Sequence, residues 1–145
     1  MNHAHSAHGA VRLGSGDVLV AGGSDSSGSG TAFTEIYDPG ADTWTDMAPM
    51  AVARFRHTLT LLEDGTVLAV GSMAEDTSEI YNLAVDSWSS VGVLAGDRYN
   101  HTATLLSDGR VLVVGGFNND DFKVGDTEIY DPETGTWSNA GSLTV

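Results

Sequence analysis

Three histidines recur at one place in a repeated pattern. His8, His57 and His101 each stand eight residues before a glycine: Gly16, Gly65 and Gly109. Imidazoles can ligate a metal, move a proton or satisfy a buried polar group. Separations of 49 and 44 residues form no local chelating pattern. The favoured reading is structural, with each histidine hydrogen-bonding the backbone of a neighbouring unit. A metal-binding ring of imidazoles and direct ligand contact are the alternatives. Arg54 and Arg98 share a second position, with His5 as their counterpart. The chain holds 20 acidic and 6 basic residues, so such arginines have carboxylates at hand. A guanidinium suits a bidentate pair at a seam between units. Glu35, Glu79 and Glu128 are the candidate partners, and ligand binding is the alternative role.

Positions that differ between repeats carry more chemical information. Ser6, Phe55 and Tyr99 are equivalent, as are Ala7, Arg56 and Asn100. Two aromatics with an arginine and an asparagine can hold a sugar, a peptide carboxylate or an aromatic ring. The candidate ligand set is therefore Arg56, Tyr99, Asn100 and Phe55, flanked by Arg54, Arg98, His57 and His101. The oxygen-rich stretches from Ser24 to Gly30 and from Asn118 to Asp121 could suit calcium. Neither has EF-hand spacing, and solvated loops are the simpler reading. No Gly-x-Ser-x-Gly elbow, phosphate loop or His-Glu-x-x-His motif occurs. No catalytic residue, metal ligand or cofactor is assigned.

These residues are positioned by one unit written three times. Trp44, Trp88 and Trp137 are 44 and 49 residues apart, and so are Tyr37, Tyr81 and Tyr130. Glu-Ile precedes each tyrosine. Each unit predicts four short antiparallel strands. In the third these are 101–106, 111–114, 127–130 and 136–138. Asp108-Gly109 marks the first hairpin, and Pro132 with Gly135 marks the last turn. Between the glycine-ended second strand and the Glu-Ile pair lies a loop. It is five residues shorter in the middle unit: Gly23 to Glu35 and Gly116 to Glu128 span 12, but Ser72 to Glu79 spans 7. The pattern predicts an all-β fold of three four-stranded blades, with boundaries near 1–49, 50–93 and 94–145. The aromatic anchors are expected to be structural.

The unit resembles the kelch repeat. The match lies in the double glycines Gly22-Gly23 and Gly115-Gly116 and in the tyrosine and tryptophan at kelch spacing. The middle unit departs, with Gly71-Ser72 in place of the pair. The stretch from Arg98 to Leu106 is similar to bacterial repeats related to the central domain of galactose oxidase. The resemblance implies a kelch-type β-propeller. Galactose oxidase chemistry needs a copper site with a cysteine-linked tyrosine. This chain has no cysteine, so the resemblance implies scaffold rather than oxidase. Kelch propellers also serve as carbohydrate-active enzymes such as sialic acid mutarotase. An enzyme using the central channel is thus an alternative, and a purely structural self-assembling fragment is another.

Three blades do not close a ring, since propellers have roughly four to eight. Met1 and Leu143 stand at one phase of the repeat. The expectation is a homodimer, two arcs making a six-bladed ring that binds a peptide or glycan at its mouth. A net charge of -14 argues against nucleic acid and anionic membrane as partners. No signal peptide is visible in the first nine residues. The default expectation is a cytoplasmic location, unless the chain is a fragment of a secreted protein.

Overall fold

Turn residues set the strand ends. The inner hairpin of each unit turns at Gly16, Gly65 and Gly109, all with positive φ (101°, 85° and 83°). The outer hairpin turns through a left-handed residue too: Asp42, Asp86 and Gly135, at φ 56°, 46° and 68°. Aspartate tolerates this region better than most side chains because its short polar group bonds locally. Here Asp42 and Asp86 each accept a 2.8 Å bond from the preceding Tyr37 or Tyr81 hydroxyl.

The computed structural model describes residues 2–73 and 75–144. Twelve strands form, and no helix occurs among the described residues. The first sheet contains β1 (Gly9–Arg12), β2 (Val18–Ala21), β3 (Thr34–Asp38) and β4 (Thr43–Met47). The second contains β5 (Thr58–Leu61), β6 (Val67–Ser72), β7 (Glu75–Asn82) and β8 (Ser87–Val93). The third contains β9 (Thr102–Leu105), β10 (Val111–Val114), β11 (Asp126–Asp131) and β12 (Thr136–Ser142). Each sheet is antiparallel in chain order. The register is common to all three: Tyr37 faces Trp44, Tyr81 faces Trp88, and Tyr130 faces Trp137. The last strand runs further than the expected 136–138. It follows β11 past a bulge at Thr127/Glu128 as far as Ser142. Where the loop is short, β6 and β7 extend toward each other instead. Met1, one of the two positions whose phase the repeat compares, lies outside the described residues, as do Val145 and Ala74 of the short loop.

The blades stack face to face, with β1, β5 and β9 side by side. Each blade has two different faces. One carries the Tyr–Trp pair. The other carries the leucine of the second strand and an apolar residue after the fourth. Between blades one and two, Leu13 and Leu19 meet Val67, Tyr81 and Trp88. Met50 and Ala21 close that seam against Ala69. Between blades two and three, Leu62, Leu68, Val70 and Leu94 meet Val111, Val113, Tyr130 and Trp137. Alternate residues of β6 thus point to opposite neighbours, and all six of its residues are buried.

Candidate functional site

The connectors entering β1, β5 and β9 lie together at one end of the inner strands, away from the Asp-Gly turns. Ala7, Arg56 and Asn100 occupy equivalent points there, with φ of 54°, 57° and 53°. The Arg56 amide donates to the Ala7 carbonyl at 2.8 Å, and the Asn100 amide donates to the Arg56 carbonyl at 3.0 Å. An inner hoop of backbone hydrogen bonds therefore runs from blade to blade around the mouth. Its left-handed backbone turns the Arg56 and Asn100 side chains out into solvent.

Tyr99 lies beneath them and is buried. Its hydroxyl donates to Asp121 in the long loop of its own blade. That bond, helped by burial, raises the Tyr99 pKa above the usual phenol range, while Arg56 pulls the other way. The Arg56 guanidinium sits 5.5 Å from the Tyr99 ring centroid, within cation–π range. Phe117 also stacks on that ring, 5.9 Å between centroids. The loops are themselves tied to the connectors. Ser6 pairs with Ser24, Thr31 with Arg54, and Tyr99 with Phe117. Phe55 is half-buried, its ring over Gly30. Arg56 and Asn100 thus form one surface above the buried Tyr99, with Phe55 set apart against the first long loop.

Arg54 and Arg98 turn inward instead. Arg54 is fully buried and donates through Nε and Nη2 to Glu79 (3.2 and 2.9 Å). Its Nη1 donates to the Gly71 and Thr77 carbonyls. Glu79 also accepts the Ala51 and Val52 amides. Arg98 makes a similar arrangement through Nη2 to Glu128 (2.5 Å) and Nη1 to the Gly115 and Asp126 carbonyls, but its buried Nε has no hydrogen-bond partner. The expected carboxylate partners are present, but each pair lies inside one blade rather than at a seam between blades. It pins the incoming connector to the blade's own second and third strands. Those guanidinium groups are taken up by protein groups and do not reach the mouth surface. In blade one His5 takes the arginine's place, with Nδ1 2.6 Å from the Gly22 carbonyl and Nε2 3.6 Å from Glu35. Repeat alignment marked His5 as the counterpart but could not show that it reaches the same carbonyl.

The repeated histidines lie between blades. His101 Nε2 is 2.9 Å from the Thr58 hydroxyl of the blade before it. For His101 the partner is thus the neighbour's side chain, whereas both ring nitrogens of His57 are buried without a side-chain partner. At the first seam Gly9 replaces that threonine, and a Cβ there would come within 2.9 Å of His57 Nε2. Burial, assisted by the nearby Arg54 and Arg98, depresses the pKa values of His57 and His101 to about 3 and about 4. His8 is exposed. Asp25 is consumed by its own loop, accepting from the Ser27 and Ser29 amides and the Ser27 hydroxyl. Asn118 does the same for Asp120 and Phe122. Among the described residues no group of three or more His, Cys, Asp or Glu is placed to hold a metal ion.

The kelch motif matches residues 6–51 and 98–144. The chain belongs to the kelch family. The stretch between, with Gly71-Ser72, is the divergent kelch unit, yet it folds into the same four-stranded blade. Among solved structures the kelch chain is similar to YjhT, at TM-score 0.79 and 16% identity, covering 98% of this chain and 53% of that one. It is also similar to a novel fungal alcohol oxidase of the AA5 family in complex with copper, at TM-score 0.73 and 20% identity. That match covers 92% of this chain and 30% of the oxidase. At such identities the likeness concerns the fold. The chain spans about half the length of the first structure and under a third of the second. No curated protein matches it.

Proposed function

We propose that this kelch chain is a non-catalytic binding scaffold that takes a peptide or carbohydrate at the channel mouth, and that two copies assemble into a six-bladed ring. The observation that carries the binding half is the exposed Arg56 guanidinium. It lies over the Tyr99 ring, one inter-blade hydrogen bond from Asn100, on a connector held from both sides. Arg54, Arg98 and Arg110 are each paired with a carboxylate, whereas Arg56, like Arg12 and Lys123, makes no such pair among the described residues. The Arg56 guanidinium fits a carboxylate or a sugar hydroxyl.

The test is a glycan and peptide array probed at a defined oligomeric state. Arg56→Ala with Asn100→Ala should abolish whatever binding is found. Tyr99→Phe separates the ring from its Asp121 bond without opening a cavity, and should weaken binding only modestly. Unaltered affinity in the Arg56→Ala/Asn100→Ala protein would move the site elsewhere.

A further inference from the structure

The two outward faces of the arc are the two halves of a seam that the chain already makes twice. On blade three, Leu112, Val114 and Leu143 hold the positions of Leu68, Val70 and Leu94, which are buried against the next blade. Leu112 and Val114 are only half-buried, and Leu143 is 50% exposed where Leu94 is 3%. On blade one, Val18, Tyr37 and Trp44 hold the positions of Val67, Tyr81 and Trp88. Tyr37 is half-buried where Tyr81 is 0% exposed. One residue departs from the pattern. Arg12 stands where Leu61 and Leu105 pack, beside the Gly16 turn at the rim, where its stem can cover apolar surface with the head in water.

Polar groups and shape tell the same story. At both internal seams a histidine seats its Cε1 against the glycine that ends the second strand: His57 on Gly22 and His101 on Gly71. A Cβ at the third such glycine, Gly115, would meet nothing closer than 3.9 Å. A cleft of about 320 Å³ opens there, lined by Gly115, Gly116, Phe117, Val124 and Leu143. The third histidine of the set, His8, is exposed on the opposite face of the arc. Trp88 Nε1 donates to Thr34 across the first seam, and Trp137 Nε1 donates to Ser78 across the second. Thr127 is the third member of that acceptor set. Like Ser78 it donates to a backbone carbonyl, Thr127 to Gly141 and Ser78 to Gly92. No tryptophan reaches it from within the chain.

We infer that blade three of one copy docks head-to-tail on blade one of a second copy. His8 fills the Gly115–Leu143 cleft, Trp44 Nε1 donates to Thr127, and the Ala7 amide takes up the Asn100 carbonyl. The inference rests on the assembly half of the reading above and fixes its geometry. The contact is heterologous, and made twice about a twofold axis it closes the ring. Closure also carries the inner hoop through both copies, so the mouth holds two Arg56 and two Asn100 side chains.

The test exploits the absence of cysteine. Wild-type chain should run at twice its 15.1 kDa mass by light scattering at micromolar concentration. The double variant Ala7→Cys/Asn100→Cys should give a covalent dimer on oxidation, since residues 7 and 100 of one copy are separated by blade two. Trp44→Asp and Leu112→Asp should each run as a single chain. Mixed, they restore one seam: Asn100→Cys on the Trp44→Asp copy should cross-link to Ala7→Cys on the Leu112→Asp copy. The reciprocal cysteine placement should not. A folded wild-type monomer would overturn the inference and leave further blades in cis as the cover. A dimeric Leu112→Asp protein, or cross-linking between two Ala7→Cys copies, would overturn the head-to-tail geometry. Should the aspartate variants misfold, a failure of the cysteine pair alone to cross-link is sufficient to reject it. Loss of array binding in a dimeric protein would count against the ligand site only.

Discussion

The Tyr–Trp pair occurs three times with one geometry and in two environments. Ring centroids are 5.0, 5.1 and 5.2 Å apart in blades one, two and three. Tyr81 and Tyr130 are sealed by the preceding blade, and Tyr37 is not. Local sequence and strand register therefore set how the two rings meet, while the neighbouring blade decides what that meeting is worth. The same split runs through the carboxylates. Glu79 and Glu128 are each clamped by an arginine. Glu35 has His5 and the Asn2 amide instead.

The sharpest way to break this comparison is at the carboxylates. Glu79→Ala should cost about 3–5 kcal/mol, because it strands a buried guanidinium. Glu35→Ala should cost less, about 1–3 kcal/mol, in the range of a lost hydrogen-bond partner. Chemical denaturation of both proteins checks the order, and equal losses would erase the difference between the blades. Next come the tryptophans. Trp88 is half-buried, yet it donates across the first seam to Thr34 and the Ala48 carbonyl. Trp88→Ala should lower stability by about 3 kcal/mol. Trp44→Ala should cost clearly less in a single arc, and its effect should appear instead in the oligomeric state.

The smallest effect is in the histidines. The folded state holds His57 and His101 neutral, with pKa values far below the ordinary 6.5. The unfolded chain binds protons that the folded chain refuses, so stability falls as the pH drops below 6.5. The loss continues until the pH passes the folded values near 4 and 3. At pH 5.5 it amounts to about 1.4 kcal/mol per histidine. His101→Gln should flatten that slope. Melting temperatures between pH 7.5 and 5 supply the measurement.

The repeat made the architecture legible. Three tryptophans, three tyrosines and the turn glycines report recurrence, and recurrence at this length implies blades. Recurrence does not report facing. Arg54 and Glu79 could be matched as partners from their periodicity, but nothing in the spacing shows whether the pair closes a seam or staples one blade. The Thr58 hydroxyl was invisible as the partner of His101 because the equivalent residue in blade one is Gly9. The variation at the mouth was legible in Ser6, Phe55 and Tyr99, though nothing in it showed that Tyr99 is buried and bonded to its own loop. The backbone of the mouth was not legible, since a positive φ at Ala7 or Arg56 leaves no trace in residue type. Only Asn100, of a type enriched in that region, carried the signal.

That left-handed hoop has a consequence for diversifying the mouth. Positions 7, 56 and 100 each lend their amide or carbonyl, not their side chain, to inter-blade bonding. The side chain there is free to vary, provided it tolerates a positive φ. Asparagine, aspartate and glycine should be accepted readily and straight-chain residues at modest cost, while valine, isoleucine and threonine should be rejected because of branching at Cβ. A randomised library at these three codons should therefore return folded proteins depleted in β-branched residues but otherwise chemically diverse, making the hoop a set of exchangeable sockets on a fixed rim.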